Sequence, residues 1–469
     1  MSALNLFGRR KIYTDFDEVT EKNILKVLQE AAPDILMNQT ESEYLYKYFK
    51  GEQPILLRTK DIRPEICNRI VENRANEIVS FKTGYLCGEP IQYIARSGKS
   101  SVAKNVGKLN DAMLVESKSA KDKELFEWQC ITGHAYRLTL PDTEGHPFEL
   151  YTLDSRYSFV IRSKRIGEKV LAGGCYSRDK NGITTWSVYT KDLFLRIREG
   201  KVIEKTAHGL GYVPVIEYPA NNARLGAFEP VIPILDAINT VTSNRLDGVE
   251  QFVQSLMKFI NCEVDKETIA ELAQMGAIQI KSTDGQNADV EIMTQELNQQ
   301  QTQTLVDHMY QTVLTICGMP NRNGNGSSTS DTGAASLLRD GWTLAEARAK
   351  DSETMFKQSE QEMLKVVLRI CNDLSDISLN LQDIDIKFTR RNYENIQTKA
   401  QVLCEMLNNE KIDPKLAFTH CGMFTDPEEA YTMSMQWFKK NQKELERQTK
   451  QANTGENNSP DGNNGQGRP

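Results

Sequence analysis

The residues of this chain best suited by type to chemistry are Ser97-Gly98-Lys99-Ser100, five histidines and nine cysteines. Gly-Lys-Ser can close a phosphate-cradling loop, in which glycine amides wrap a phosphate chain and the lysine neutralises it. That loop needs a glycine five residues earlier, and Tyr93 stands there, so a polar hairpin loop is the better reading. His134, His146, His208, His308 and His420 are isolated, and none has the His-Glu-x-x-His spacing that sets two imidazoles on one helix face for zinc. Gly-x-Ser-x-Gly, the mark of a nucleophile elbow, is absent. The cysteines are scattered from Cys67 to Cys421 with no Cys-x-x-Cys pair, which suits buried thiols in a reducing compartment better than disulfides or zinc. The expectation is no catalytic residue, no metal, no cofactor and no enzyme activity.

Composition narrows the remaining classes. At 469 residues the chain can hold two or three domains, and 26% charged with 39% hydrophobic residues describes a soluble globular protein. No apolar run reaches the roughly 18 residues of a membrane span. The opening residues lack the long apolar centre of a secretory signal. A net charge of −7 disfavours any protein that grips duplex DNA through its phosphates.

The elements that would position any function follow from periodicity. Val231, Leu235, Ile238, Thr242, Leu246, Val249, Val253, Leu256 and Ile260 form one helical stripe over 229–260. Its other faces carry Asp236, Asn239, Ser243, Arg245, Asp247 and Glu250. A second helix runs through Leu305, Met309, Val313 and Ile316 over 297–318 and stops at Gly318-Met319-Pro320. Between them the insert 261–296 has eight acids and two bases, a net charge of −6. Two helices around a compact insert make a stalk with a tip, an arrangement that suits copies standing side by side.

Before this stalk, residues 1–60 read as a peripheral helical segment with Thr20 as a cap, and Pro64 opens an expected helix over 64–87. Short β-rich runs such as Tyr157–Ile161 and Thr185–Tyr189, with a helix near Lys121–Thr132, make 61–228 α+β. After the stalk comes the Gly/Ser-rich segment 319–331, containing Arg322, Asn323, Asn325, Ser327, Ser328 and Ser330. With no packing residue it should be mobile. A helix over Thr332–Leu374 would then span roughly 60 Å. A strand near Ile384–Phe388 completes 332–393, helices fill 394–440, and the polar tail 441–469 is expected to be disordered.

Several short motifs stand in a telling order: Tyr46-Lys47-Tyr48-Phe49-Lys50-Gly51, Asn68-Arg69-Ile70-Val71-Glu72-Asn73 and Lys82-Thr83-Gly84-Tyr85-Leu86-Cys87-Gly88-Glu89-Pro90-Ile91. Gly133-His134-Ala135-Tyr136, Gly211-Tyr212-Val213-Pro214-Val215-Ile216, Asn221-Asn222, Asp236-Ala237-Ile238-Asn239 and Phe388-Thr389-Arg390-Arg391-Asn392 follow. On these, over roughly residues 40–435, the chain resembles the portal proteins of tailed bacteriophages, in particular the family of phages with long non-contractile tails. Segment 321–331 departs from that family in being richer in glycine and serine.

The resemblance implies an α+β, predominantly helical portal-type subunit with wing, two-helix stem, small α/β clip and helical crown. It implies a homo-oligomeric ring, usually of twelve subunits, at one capsid vertex of the virion, assembled in the host cytoplasm, with double-stranded DNA passing non-specifically through its axis. Helices 229–260 and 297–318 would be the stem, with Asp236, Asn239, Arg245, Asp247 and Glu250 as its polar residues. The clip 261–296 would meet the terminase large subunit and later the head-tail adaptor through Glu263, Asp265, Glu267, Glu271, Asp289 and Glu291. Segment 319–331 would be a polar sleeve around DNA, and helices 394–440 the crown. Major capsid and scaffolding proteins complete the implied partners, and no membrane is involved. Two other classes compete: a head-tail adaptor or capsid-assembly protein that forms no channel, and a nucleic-acid enzyme. The α+β middle third speaks against a scaffold, and the missing motifs against an enzyme.

Overall fold

The computed structural model describes residues 8–61, 63–96, 99–142, 145–253, 256–260, 289–293, 299–321, 341–390, 396–424 and 427–455. Helix makes up about 52% and strand about 18% of the chain, an α+β balance weighted towards helix.

A six-stranded sheet has the order β1-β5-β6-β7-β8-β9, built from β1 Ile12–Thr14, β5 Ser158–Ser163, β6 Val170–Arg178, β7 Thr184–Tyr189, β8 Leu193–Arg198 and β9 Lys201–Ala207. β1 pairs in parallel with β5, Ile12 opposite Ile161, and the rest are antiparallel neighbours. On β8, Leu195 and Ile197 are buried while Arg196 and Arg198 point out, the alternation of a sheet solvated on one face. Strand β5, next to the edge strand β1, is buried on both sides. Phe159 and Ile161 pack with the first half of helix α1 (Ile24–Lys50). Val160 meets a second sheet, order β10-β3-β4, formed by β10 Val215–Pro219, β3 His134–Pro141 and β4 Phe148–Leu153.

Residues 8–50 are therefore not peripheral. Ten residues of α1 are buried, and β1 completes the main sheet. Arg9 is buried against Glu41 of α1 (3.1 Å) and Glu229 (2.5 Å). Thr20 supplies its carbonyl to the start of α1, and Asn23 accepts the Thr20 amide at 2.7 Å.

The larger core gathers α2 (Arg74–Leu86), β2 (Gln92–Ala95), α3 (Ser100–Val115), α4 (Lys118–Thr132), α5 (Ile232–Val253) and α6 (Gln299–Cys317) around the 33-residue α7 (Trp342–Leu374) and β13 (Ile384–Lys387). At its centre lies a buried charge quartet. Lys118 bonds Asp122 and Glu360, each at 2.6 Å, and Arg137 bonds Asp122 at 2.7 Å and lies 3.7 Å from Glu360. Tyr93 and Tyr218 donate their hydroxyls to Glu360 at 2.5 and 2.8 Å. Two acids face two bases, so the cluster is neutral. Burial opposes the Glu360 charge, but Lys118 and Arg137 prevail and hold its carboxyl below the usual range.

Three helices, α8 (Ile396–Leu407), α9 (Pro414–His420) and α10 (Pro427–Gly455), share a small core of their own around Leu403, Ala417, Phe418 and Cys421. α10 runs to Gly455, where the composition had suggested a disordered tail from 441. Its Lys, Gln, Glu and Arg residues are strong helix formers even without an apolar face.

Gly133 shows how tightly the loop before α5 is held. Its φ is +81°, and a Cβ there would lie 2.0 Å from the Arg224 carbonyl oxygen. Beside it, Glu217 bonds Arg224 at 2.6 Å and Arg162 at 2.7 Å. Fully buried His134 is pushed down to about 3 by its burial, with Glu217 opposing and Arg9 and Arg224 adding to the effect.

Two outcomes are expected. Glu360→Leu leaves Lys118 and Arg137 sharing one carboxylate and should cost about 3–5 kcal/mol in denaturant unfolding, whereas adding Lys118→Met should recover part of that loss. Because the folded pKa of His134 lies below the unfolded value, the unfolded chain binds the extra proton. Stability is thus full above about pH 6.5 and falls as pH drops towards 3. His134→Phe should flatten the urea midpoint over that window, and an unchanged slope would refute the assignment.

Candidate functional site

Both helices read from the sequence as a stalk are present, with altered ends. A 3-10 turn, Glu229–Val231, leads into α5, which ends at Val253. Leu256–Ile260 is strand β11, not helix, and pairs antiparallel with β12 (Asp289–Met293), Leu256 opposite Met293 and Ile260 opposite Asp289. A short apolar run fits a helical stripe and a strand equally well, and pairing decides. This strand pair brings the two flanks of segment 261–288 together. Asp289 and Glu291 are in β12, while Glu263, Asp265, Glu267 and Glu271 lie outside the described residues. So do Arg322, Asn323, Asn325, Ser327, Ser328 and Ser330.

α6 packs along α5 and stops where expected: Gly318 has φ +66°, and the Met319 amide donates to the Leu314 carbonyl at 2.8 Å. A Cβ on Gly318 would come within 2.5 Å of the Arg348 side chain, so the end of α6 sits directly on α7. α2 ties both helices together. Tyr310 of α6 donates to Glu77 (2.7 Å) with the Arg74 guanidinium over its ring, and Tyr85 donates to Glu346 of α7 (2.9 Å). Arg390 bridges Glu346 and Glu353, each at 2.7 Å. α7 is described from Trp342, so the expected helical stretch 332–340 lies outside the described residues.

The main departure concerns residues 64–73, expected to be helical. α2 begins only at Arg74, and 67–73 form neither helix nor sheet. This segment lies as a strap along α5. The amides of Asn68, Ile70 and Glu72 donate to the side chains of Asp247 (2.7 Å), Ser243 (3.0 Å) and Asn239 (2.9 Å). Alternate strap residues thus pair with every fourth helix residue. Two residues of an extended chain advance about 6.6 Å; four residues of helix rise about 6.0 Å. The two repeats match closely enough for three consecutive bonds. Side chains close the flanks: Tyr48 donates to Asp236 (2.9 Å), Asn239 to Gln53 (2.5 Å) and Thr242 to Glu72 (2.8 Å). Asp247 also pairs with Arg58 (2.9 Å) and Lys60 (2.5 Å). Burial works against its charge, but Lys60 and the Asn68 donors hold the carboxyl below its usual range.

Of the polar stem residues picked from the sequence, Asn239 and Asp247 are therefore taken up inside the chain by the strap, and Asp236 by Tyr48 of α1. Arg245 instead bonds Gln303 of α6, and Glu250 is half-buried further along α5. Ser243 was noted only as one polar residue among several. The signal for the strap was the spacing Asn239-Ser243-Asp247, three short acceptors at successive fourth positions of an apolar helix.

Tyr93, where a phosphate loop would need glycine, is a core residue bonded to Glu360. Cys87, Cys130, Cys317, Cys371 and Cys421 are buried, Cys67 and Cys175 half-buried, and Cys404 exposed. Burial pushes the Cys130 thiol up to about 12, the opposite of an activated nucleophile. Among the described residues, no cluster of three or more His, Cys, Asp or Glu is disposed to hold a metal, and no helix is long and apolar enough to cross a membrane.

The family described as "Phage portal protein, SPP1 Gp6-like" matches residues 36–454. Comparison with curated proteins gave no match.

Removing one strap acceptor should loosen the stalk. Ser243→Ala orphans one amide and should cost about 1–3 kcal/mol in urea unfolding. Asp247→Ala, which also frees two cations, should cost more. Both should raise hydrogen exchange at Asn68, Ile70 and Glu72 before the β5 amides, and unchanged exchange there would contradict the strap.

Proposed function

The chain belongs to the SPP1 Gp6-like phage portal protein family, and on that premise we propose that it forms the channel through which double-stranded DNA enters and leaves the capsid. The family carries a structural role in a homo-oligomeric assembly with DNA at the virion's capsid vertex. Twelve subunits is the ring size in this reading. The described residues support it chiefly by one observation: two packed helices, α5 and α6, flank the β11–β12 strand pair in the chain, and the far end of α6 sits on the long α7. A lone subunit gains nothing from such a stalk; side by side, copies would make a tube.

The parts take roles accordingly. Residues 1–228 with α7 serve as wing, α5 and α6 as stem, 261–296 with its hairpin as clip, and α8 to α10 as crown. The net charge of −6 in the insert, repeated around a ring, makes an acidic collar that repels phosphate and lets DNA slide. This clip docks the terminase large subunit, which supplies ATP hydrolysis, and afterwards the head-tail adaptor. Residues 319–331 form a polar sleeve on the DNA. The chain itself has no enzymatic step in this scheme.

The adaptor reading is separated by packaging itself. Heads assembled with capsid and scaffolding proteins should take up DNA with terminase and ATP only when this chain is present. Uptake without it, followed by loss of the DNA, is the adaptor's signature. Within active heads, deleting Gly324–Ser328 should change packaging rate or DNA retention, and wild-type values for both would remove the sleeve role.

A further inference from the structure

Where the end of α6 meets α7 lies a small cleft whose charges are all of one sign. Gly318 lines it together with Phe81 and Lys82 of α2, Phe126 of α4, and Arg348 and Ala349 of α7, and its free volume is about 20 Å³. No carboxylate lines it, and neither Lys82 nor Arg348 forms an ion pair among the described residues. Glu346, two residues before Arg348, is already held by Tyr85 and Arg390.

The fold positions both cations. The Arg348 stem lies against Gly318, where a Cβ would leave it no room. Lys82 is half-buried on α2. Burial raises the thiols of Cys130 in α4 and Cys317 at the end of α6, and the Lys82 charge opposes that rise at both. The ammonium therefore sits near α4 and the end of α6, beside aromatic and aliphatic walls. Two like charges in one partly apolar cleft repel each other and lose hydration without a partner in return. An anion between them would remove both costs.

We propose that this cleft is a binding site for a small oxyanion, of the class of inorganic phosphate or sulfate, held between Lys82 and Arg348. The guanidinium offers paired N–H donors suited to two oxygens of one ion, and the ammonium adds a point charge. A single water needs roughly 10–15 Å³ of such free volume, so the cleft admits an ion of a few atoms and is too small for a nucleotide. The bound ion would link α2 to α7 at the place where α6 ends, and so firm the junction between stalk and long helix. This inference does not depend on the conduit reading.

The test titrates the full-length protein with sodium phosphate by isothermal calorimetry at fixed ionic strength, sodium chloride making up the balance. Saturable binding of one phosphate per chain is expected, with a matching rise in unfolding temperature. Lys82→Gln and Arg348→Gln should each weaken binding about tenfold or more, as loss of a charge-assisted bond does. Lys350→Gln, which removes an exposed charge of α7 outside the cleft, should leave binding unchanged. Phosphate should also slow hydrogen exchange at the Gly318 and Met319 amides in the wild-type protein and not in Arg348→Gln. No saturable binding by the wild-type protein would overturn the assignment. So would binding that survives both cleft substitutions, the mark of an adventitious ion only.

Discussion

Everything in this subunit that could transmit position depends on one neutral cluster of buried charges. Lys118, Asp122, Arg137 and Glu360 come from α4, β3 and α7, and Tyr93 and Tyr218 add β2 and β10. Separately, each ion would cost several kcal/mol to bury, so all four must be present in one geometry. Apolar packing alone would let α7 slide or rotate by small steps. An acid at Glu360 that must meet two cations and two hydroxyls fixes both its register and its rotation. The 33-residue α7 is thus anchored at mid-length, and its second turn, through Arg348 against Gly318, sits on the end of α6.

The stalk is held from its other side by hydrogen bonds of a different kind. An unpaired strap amide would cost about 1–3 kcal/mol if buried, and three of them are satisfied by Asn239, Ser243 and Asp247. The polar residues of a stem helix thus need not face a channel; here they bind a peptide segment that runs between α1 and α2. α5 is thus anchored along one face by the strap.

Much of this was legible in the sequence. The α5 and α6 stripes, the stop at Gly318, the β-rich middle third and Pro414–His420 all follow from local periodicity and caps. Residues 64–73 misled because Ile66, Ile70 and Arg74 have helical spacing, while the partners that pull the segment out of helix lie about 170 residues away in α5. Leu256–Ile260 misled because its pairing partner, Asp289–Met293, is likewise remote. Asp236, Asn239 and Asp247 could be picked as polar residues of a helix; whether that face met water or protein depended on a contact no local pattern encodes. The Glu360 quartet was silent for the same reason, since its members are ordinary charged residues until the fold brings them together.

The central claim is that copies of this chain close into a ring with an open axis. Imaging of the purified chain by negative stain, combined with native mass to count subunits, tests it most directly. Rings of about twelve copies with a hole through the centre are predicted. A monomer or dimer that persists at high concentration, or an assembly with no axial opening, would contradict it.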